Sequence, residues 1–134
     1  MSGPDNINSE VLSDVIGAIY DCALEPQRWQ QTVKLINAFC DSPFGGLGII
    51  DSRAVAYRNV YDDGYAAEFV AMYPKYEAMN PIFQAASLRD VGQVNTQAML
   101  IDEVEFLESR YYRECLSTFG YRDLVGFLAL KSAV

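Results

Sequence analysis

Aromatic rings and one amide crowd between positions 57 and 83: Tyr57, Tyr61, Phe69, Tyr73, Asn80 and Phe83. Tyrosine carries a hydroxyl on an apolar ring, and the asparagine amide both donates and accepts. Apolar walls with a few polar tips suit a small organic molecule. The same residues fit a helix that packs its aromatics into a core, and composition alone leaves both readings open. Tyr112, in the later run Tyr111-Tyr112-Arg113-Glu114, joins the candidate pocket residues, although that run also reads as a helix with alternating buried and solvated faces. Acid–base chemistry has a thinner basis. Asp62-Asp63 stand before Gly64, where adjacent aspartates mark a turn far more often than a catalytic pair. A small isomerase using tyrosine and aspartate would need the two to converge in one deep cavity with a perturbed acid. The chain has no histidine, so Ser-His-Asp and Cys-His catalysis are excluded within it, along with the commonest metal and haem ligand. No catalytic set, metal site or cofactor motif is assigned.

The chain of 134 residues is 51% hydrophobic, enough for one domain with a real core. Its formal charge of -8, with the 10 lysines and arginines scattered singly, disfavours direct contact with DNA or an anionic membrane. Apolar runs fall far short of the roughly 20 residues of a membrane span. The polar, acidic N-terminus is no signal peptide. Three cysteines without close spacing, Cys22, Cys40 and Cys115, read as reduced thiols of a cytoplasmic protein, with Cys22 and Cys115 buried in helices.

The elements that must position these groups follow from periodicity. After a flexible stretch 1–8, residues 9–24 carry adjacent apolar pairs once per turn, which predicts a helix capped by Asn8 or Ser9. Val11, Leu12, Val15, Ile16 and Ile19 on that stripe are the candidate dimer contacts, while packing on the chain's own sheet would use the same stripe. A second helix starts at Pro26, with Trp29, Val33, Ile36, Phe39 and Cys40 on its apolar face. The segment 47–51 reads as a short buried strand, Ser52-Arg53 as a turn and 54–61 as the returning strand. A helix is expected from about Tyr65 to Tyr73, with Pro74 either kinking or ending it. Asn80-Pro81 forces a turn before a short helical segment, and 92–96 reads as a short strand. A helix from about Asp102 carries Val104, Leu107, Tyr111, Cys115 and Leu116 and ends near Gly120. The closing segment DLVGFLALKSAV reads as a buried strand in which Gly126 permits close approach of a helix or ligand. A final strand without a closing partner is the basis for expecting the natural protein to continue past residue 134.

Three segments, taken in order, resemble one family. ALEPQRWQQTVKLI at 23–36 resembles the helix that opens many LuxR-type regulators. YDDGYAAEFVAMYPKYEAMNPIFQAA resembles their central helix, and VGQVNT with ESRYYRECLSTFGYRDLVGFLAL resembles their C-terminal sensor segment. The resemblance implies a PAS-like sensor domain over residues 9–134, followed by a helix-turn-helix DNA-binding domain that this chain lacks. The central stretch is also similar to acyl-homoserine-lactone receptors. There Phe69 stands where those proteins have tryptophan, Tyr73 matches their tyrosine, and Asn80 replaces their aspartate after a shorter gap. The indole donor and the carboxylate that hold the lactone are thereby lost, so a lactone receptor is not expected.

The expected fold is therefore α/β of the α+β type: a PAS-like antiparallel sheet with flanking helices and an N-terminal helical pair. The expected function is a cytoplasmic sensory domain that takes a small organic ligand, forms a homodimer, or does both. Its DNA contacts would lie outside this chain, and it has no membrane partner. The rivals are a dimerisation module without ligand and the Tyr/Asp isomerase.

Overall fold

The computed structural model describes residues 7–51 and 56–131. They form an α+β fold of helices with two separate two-stranded sheets. The chain divides into two compact units: the described residues of Met1–Ile49 with Asn59–Tyr65, and those of Ile50–Arg58 with Ala66–Val134.

The first unit is built on the expected helical pair. Helix α1 spans Ser9–Leu24 and helix α2 spans Trp29–Phe39, joined by a 3-10 turn, Pro26–Arg28, that begins on proline. Asn8 caps α1, its Oδ1 accepting from the backbone N–H of Glu10 and Val11 at 3.0 and 3.2 Å. These are two of the amides that a helix start leaves without an internal partner. The helices meet on small side chains. Val15 and Cys22 of α1 are buried, as are Thr32 and Val33 of α2, and Cys22 Sγ lies 3.2 Å from Thr32 Oγ1.

Strand β1, Gly45–Asp51, pairs with β2, Ala56–Asp63. The expected turn at Ser52-Arg53 lies outside the described residues, as do the first two residues of the expected second strand. The expectation that 47–51 is buried is corrected: Leu47 and Ile49 are exposed. Side chains of a strand stand on the faces of its sheet, and the small face of this two-stranded sheet is open to solvent at Leu47 and Ile49. The end of β2 is tied to α2 by side chains. Gln30 Nε2 donates to the Asp62 carbonyl at 2.6 Å, and Asn37 Nδ2 to the Asp63 carbonyl at 3.5 Å. Gly64 then turns the chain with φ +87°, and a Cβ there would stand 2.0 Å from the Pro43 carbonyl oxygen. Only glycine fits both conditions.

The second unit holds the larger core. Helix α3, Ala67–Tyr76, runs through Pro74 and passes into a 3-10 turn at Glu77–Met79, so the proline neither ends the helix nor stops the chain from coiling. Helix α4, Pro81–Ala86, starts on Asn80-Pro81 as expected. Strand β3 is only Asn95–Thr96, because α5, Gln97–Leu100, begins at once. It pairs antiparallel with β4, Val125–Gly126.

Two expectations fail here. The single helix predicted from Asp102 to about Gly120 breaks at Ser109: α6 covers Glu103–Glu108, and the chain resumes in a π-helical turn, Tyr112–Leu116. Ser109 explains the break, since its Oγ donates to the Phe106 carbonyl and accepts from Tyr112 N–H, serving one helix end and the next start. The break re-aims α6, so Phe106 enters the core with 0% exposure while Val104 faces solvent. Tyr111, Cys115 and Leu116 remain buried as expected. Among the described residues the long closing strand is likewise reduced to β4 and one bridge between Val91 and Leu128, and its last residues, 132–134, lie outside them. Its partner β3 offers only two residues, and Val125, Phe127 and Leu130 are exposed.

Candidate functional site

Helix α3 presents Phe69 and Tyr73, one turn apart, to a ring cluster within the second unit. Phe69 meets Tyr73 at 5.8 Å between centroids, and meets Phe119 and Tyr121 edge-on at 5.6 and 5.1 Å. Tyr73 meets Tyr111 edge-on at 6.3 Å. Edge-to-face contacts of this kind set the positive ring edge against the negative face. Gly120, at φ +72°, reverses the chain so that Phe119 and Tyr121 stack on each other at 5.7 Å. The Tyr121 hydroxyl accepts from Ala66 N–H at 3.0 Å, which ties the ring cluster to the residue just before α3.

Asn80 is the polar member, 3% exposed. Its Nδ2 donates to the Tyr73 hydroxyl at 3.2 Å, and its Oδ1 accepts from Ile82 N–H at 3.0 Å, capping α4. The amide is thus held at both ends by the protein itself.

The structure therefore brings together Phe69, Tyr73 and Asn80. Phe83, on α4, is half-buried. Tyr112 packs its ring against Phe106 at 5.3 Å, and it is the neighbouring Tyr111 that faces Tyr73. Tyr61 belongs to the first unit. The Tyr57 side chain falls outside the described residues. Sequence reasoning missed Tyr111, Phe119 and Tyr121 as cluster members. The run Phe119-Gly120-Tyr121 held the signal, because a glycine at a helix end that turns the chain back also returns the ring beyond it.

A second polar pair sits on β3 and its junction with α5. Asn95 and Gln97 are each 4% exposed. Asn95 Nδ2 donates to the Gln93 carbonyl at 2.9 Å, while Asn95 Oδ1 and Gln97 Nε2 have no hydrogen-bond partner. Neither residue was a sequence candidate.

The candidate dimer stripe divides on α1. Val15 is buried, whereas Val11, Leu12, Ile16 and Ile19 are exposed, Ile16 by 45%. Cys115 is fully buried and its thiol pKa is raised by that burial, which leaves it the unreactive neutral form. Cys22 is also buried, and Cys40 is exposed. Among the described residues no group of three or more His, Cys, Asp or Glu is placed to hold a metal ion, and no helix is long and apolar enough to cross a membrane. Asp62 and Asp63 close β2 rather than forming a separate turn, and their carbonyls are the acceptors for Gln30 and Asn37.

Comparison with protein-family models, with curated proteins and with solved structures finds no match to this chain.

Proposed function

We propose that this chain is the PAS-like sensory domain of a LuxR-type transcriptional regulator, cytoplasmic, paired with a second copy through α1, and responsive to a small organic molecule. Its DNA-binding domain lies outside the 134 residues. The observation that carries the pairing is the bare apolar stripe of α1. Leu12, Ile16, Ile19 and Ala23 recur at helical spacing beside the buried Val15 and Cys22, and all four are exposed. Charge favours a second copy as the occupant. The acids of α1, Glu10, Asp14 and Asp21, fall on the opposite side of a helix with 3.6 residues per turn. Two copies can therefore meet stripe to stripe without acid facing acid, in a self-complementary contact. Signalling follows when ligand and pairing favour different arrangements of the same chain.

One observation favours the ligand-free alternative, a dimerisation module. The polar tips of the ring cluster, Asn80 and the hydroxyls of Tyr73 and Tyr121, are engaged within the protein.

Native mass spectrometry of the purified chain, set against its denatured mass, tests both readings. A dimer that dissociates in the Ile16→Glu variant supports pairing through α1. A mass excess that disappears on denaturation identifies a bound small molecule. A dimer of bare mass selects the dimerisation module. A monomer of bare mass, unchanged by Ile16→Glu, rules out the α1 contact.

A further inference from the structure

We infer that Asn95 and Gln97 form the polar anchor of a small-molecule site on the second unit, and that the group it takes is a neutral amide. This rests on the reading of the chain as a ligand-binding sensory domain, but places the recognition chemistry away from the ring cluster. Both side chains are buried, and each leaves one atom unpaired: Oδ1 of Asn95, an acceptor, and Nε2 of Gln97, a donor. A buried polar atom without a partner is costly, and folded proteins retain few. Two of opposite sense, on the residues that flank the extended Thr96 between β3 and α5, point to a shared partner with one donor and one acceptor.

The Asn95 amide is already oriented. Its Nδ2 is held on the Gln93 carbonyl, which turns Oδ1 away from that bond. Gln97 is held through its backbone, N–H to the Leu124 carbonyl at 2.8 Å. The way in is provided by Gly126. It pairs directly with Asn95 across the sheet, and directly opposed residues of an antiparallel pair project to the same face. At Gly126 that projection is missing, and a Cβ built there would meet nothing within 4 Å. Gly126 is itself exposed, so the ladder is open to solvent at the position opposite Asn95, while Asn95 Oδ1 is covered and is reached only when its cover shifts.

The charges select the ligand class. A carboxylate would set a negative oxygen against Asn95 Oδ1, and Arg89, the cation nearest in sequence, has its guanidinium on the Met99 carbonyl at 2.6 Å. A cation would meet the N–H groups of Gln97. A neutral amide satisfies both atoms, its N–H donating to Asn95 Oδ1 and its carbonyl accepting from Gln97 Nε2.

The test is a titration of the 15N-labelled full chain with 2-pyrrolidinone, a compact neutral amide, with acetate and indole in parallel. The expected result is a saturable shift of the Gln97 side-chain NH2 and the Gly126 N–H with 2-pyrrolidinone, and none with acetate. Gly126→Ala fills open space without strain, so it retains the native spectrum and loses the response. Gln97→Met removes the unpaired donor at similar volume, so it loses the response and melts higher than the parent. If Gln97 and Gly126 signals stay still up to the solubility limit of the probe, the pair is bridged by solvent and the proposal falls. If indole instead shifts signals of Tyr73 and Asn80, ligand sensing survives at the ring cluster and only the Asn95–Gln97 site is overturned. If acetate shifts Gln97 as strongly as 2-pyrrolidinone, the assignment to a neutral amide is wrong.

Discussion

In the first unit the buried side chains are small or polar, Val15, Cys22, Thr32, Val33 and Asn37, whereas the second buries Phe69, Tyr76, Ile82, Phe106, Tyr111 and Leu116. Many of the larger apolar residues of the first unit are exposed on α1 and β1, while Trp29, Ile36 and Phe39 of α2 are half-buried. What defines it locally is a close fit: side-chain amides on the carbonyls of Asp62 and Asp63, and Gly64 pressed on Pro43. The second unit rests on ring packing, with the Asn80 amide bonded at both its nitrogen and its oxygen and Asn95 and Gln97 left incomplete. Apolar burial scales with area, so a unit that leaves its isoleucines about half exposed forgoes roughly 1 kcal/mol per such side chain. That difference marks the α1 stripe of the first unit as a surface that gains from a partner, and the second unit as the one with unmet hydrogen bonds.

The sharpest way to break the contrast is to attack each unit where it is tightest. Gly64→Val adds a β-branched side chain at φ +87° against a carbonyl 2.0 Å away, and is expected to cost more than about 3 kcal/mol, read as loss of the folded state in urea. Phe106→Ala empties a fully buried ring position of the second unit and is expected to cost about 3–5 kcal/mol by the same measurement. A cost below about 1 kcal/mol at Phe106 would mean that the second unit does not depend on ring packing.

Asn80 gives the next effect in size. Asn80→Ala removes the α4 cap and leaves the Tyr73 hydroxyl without its donor, an expected loss of about 2 kcal/mol. Tyr73→Phe breaks only the second of these bonds and is expected to cost about 1 kcal/mol. If the two variants are equally destabilised in chemical denaturation, the capping role assigned to Asn80 is wrong.

The helical pair, the asparagine cap of α1, the buried Cys22 and Cys115 and the Asn80-Pro81 helix start were legible because each has a local cause: a period, a cap or a fixed φ. The failures have causes that are not local. The apolar pattern of 104–116 is continuous, yet the backbone breaks at Ser109, since a serine hydroxyl that bonds neighbouring backbone looks in sequence like any solvated serine. The closing strand reads as buried from its leucines, but a strand extends only as far as its partner, and β3 stops at Thr96. Of the candidate site, Phe69, Tyr73 and Asn80 were found by spacing on one helix and its following turn. Tyr111, Phe119 and Tyr121 arrive from distant sequence, and Asn95 and Gln97 look like ordinary surface polars until their burial is known.

The smallest effect on the folded chain is expected from the surface where pairing is assigned. Ile19 is exposed on α1, so Ile19→Glu should change the stability of the dilute monomer by no more than about 0.5 kcal/mol. Its effect lies in concentration dependence. Association protects whatever it covers, by mass action. In the parent chain, amide exchange along α1 should therefore slow as protein concentration rises, while exchange in α3 and α6 stays constant. In Ile19→Glu a carboxylate is placed within an uncharged stripe, and transfer of an unpaired charge out of water is prohibitive. The concentration dependence at α1 should vanish with the monomer otherwise intact. Should α1 exchange be independent of concentration in the parent as well, the bare stripe is an exposed surface of a monomer, and the contrast between the units is one of packing alone.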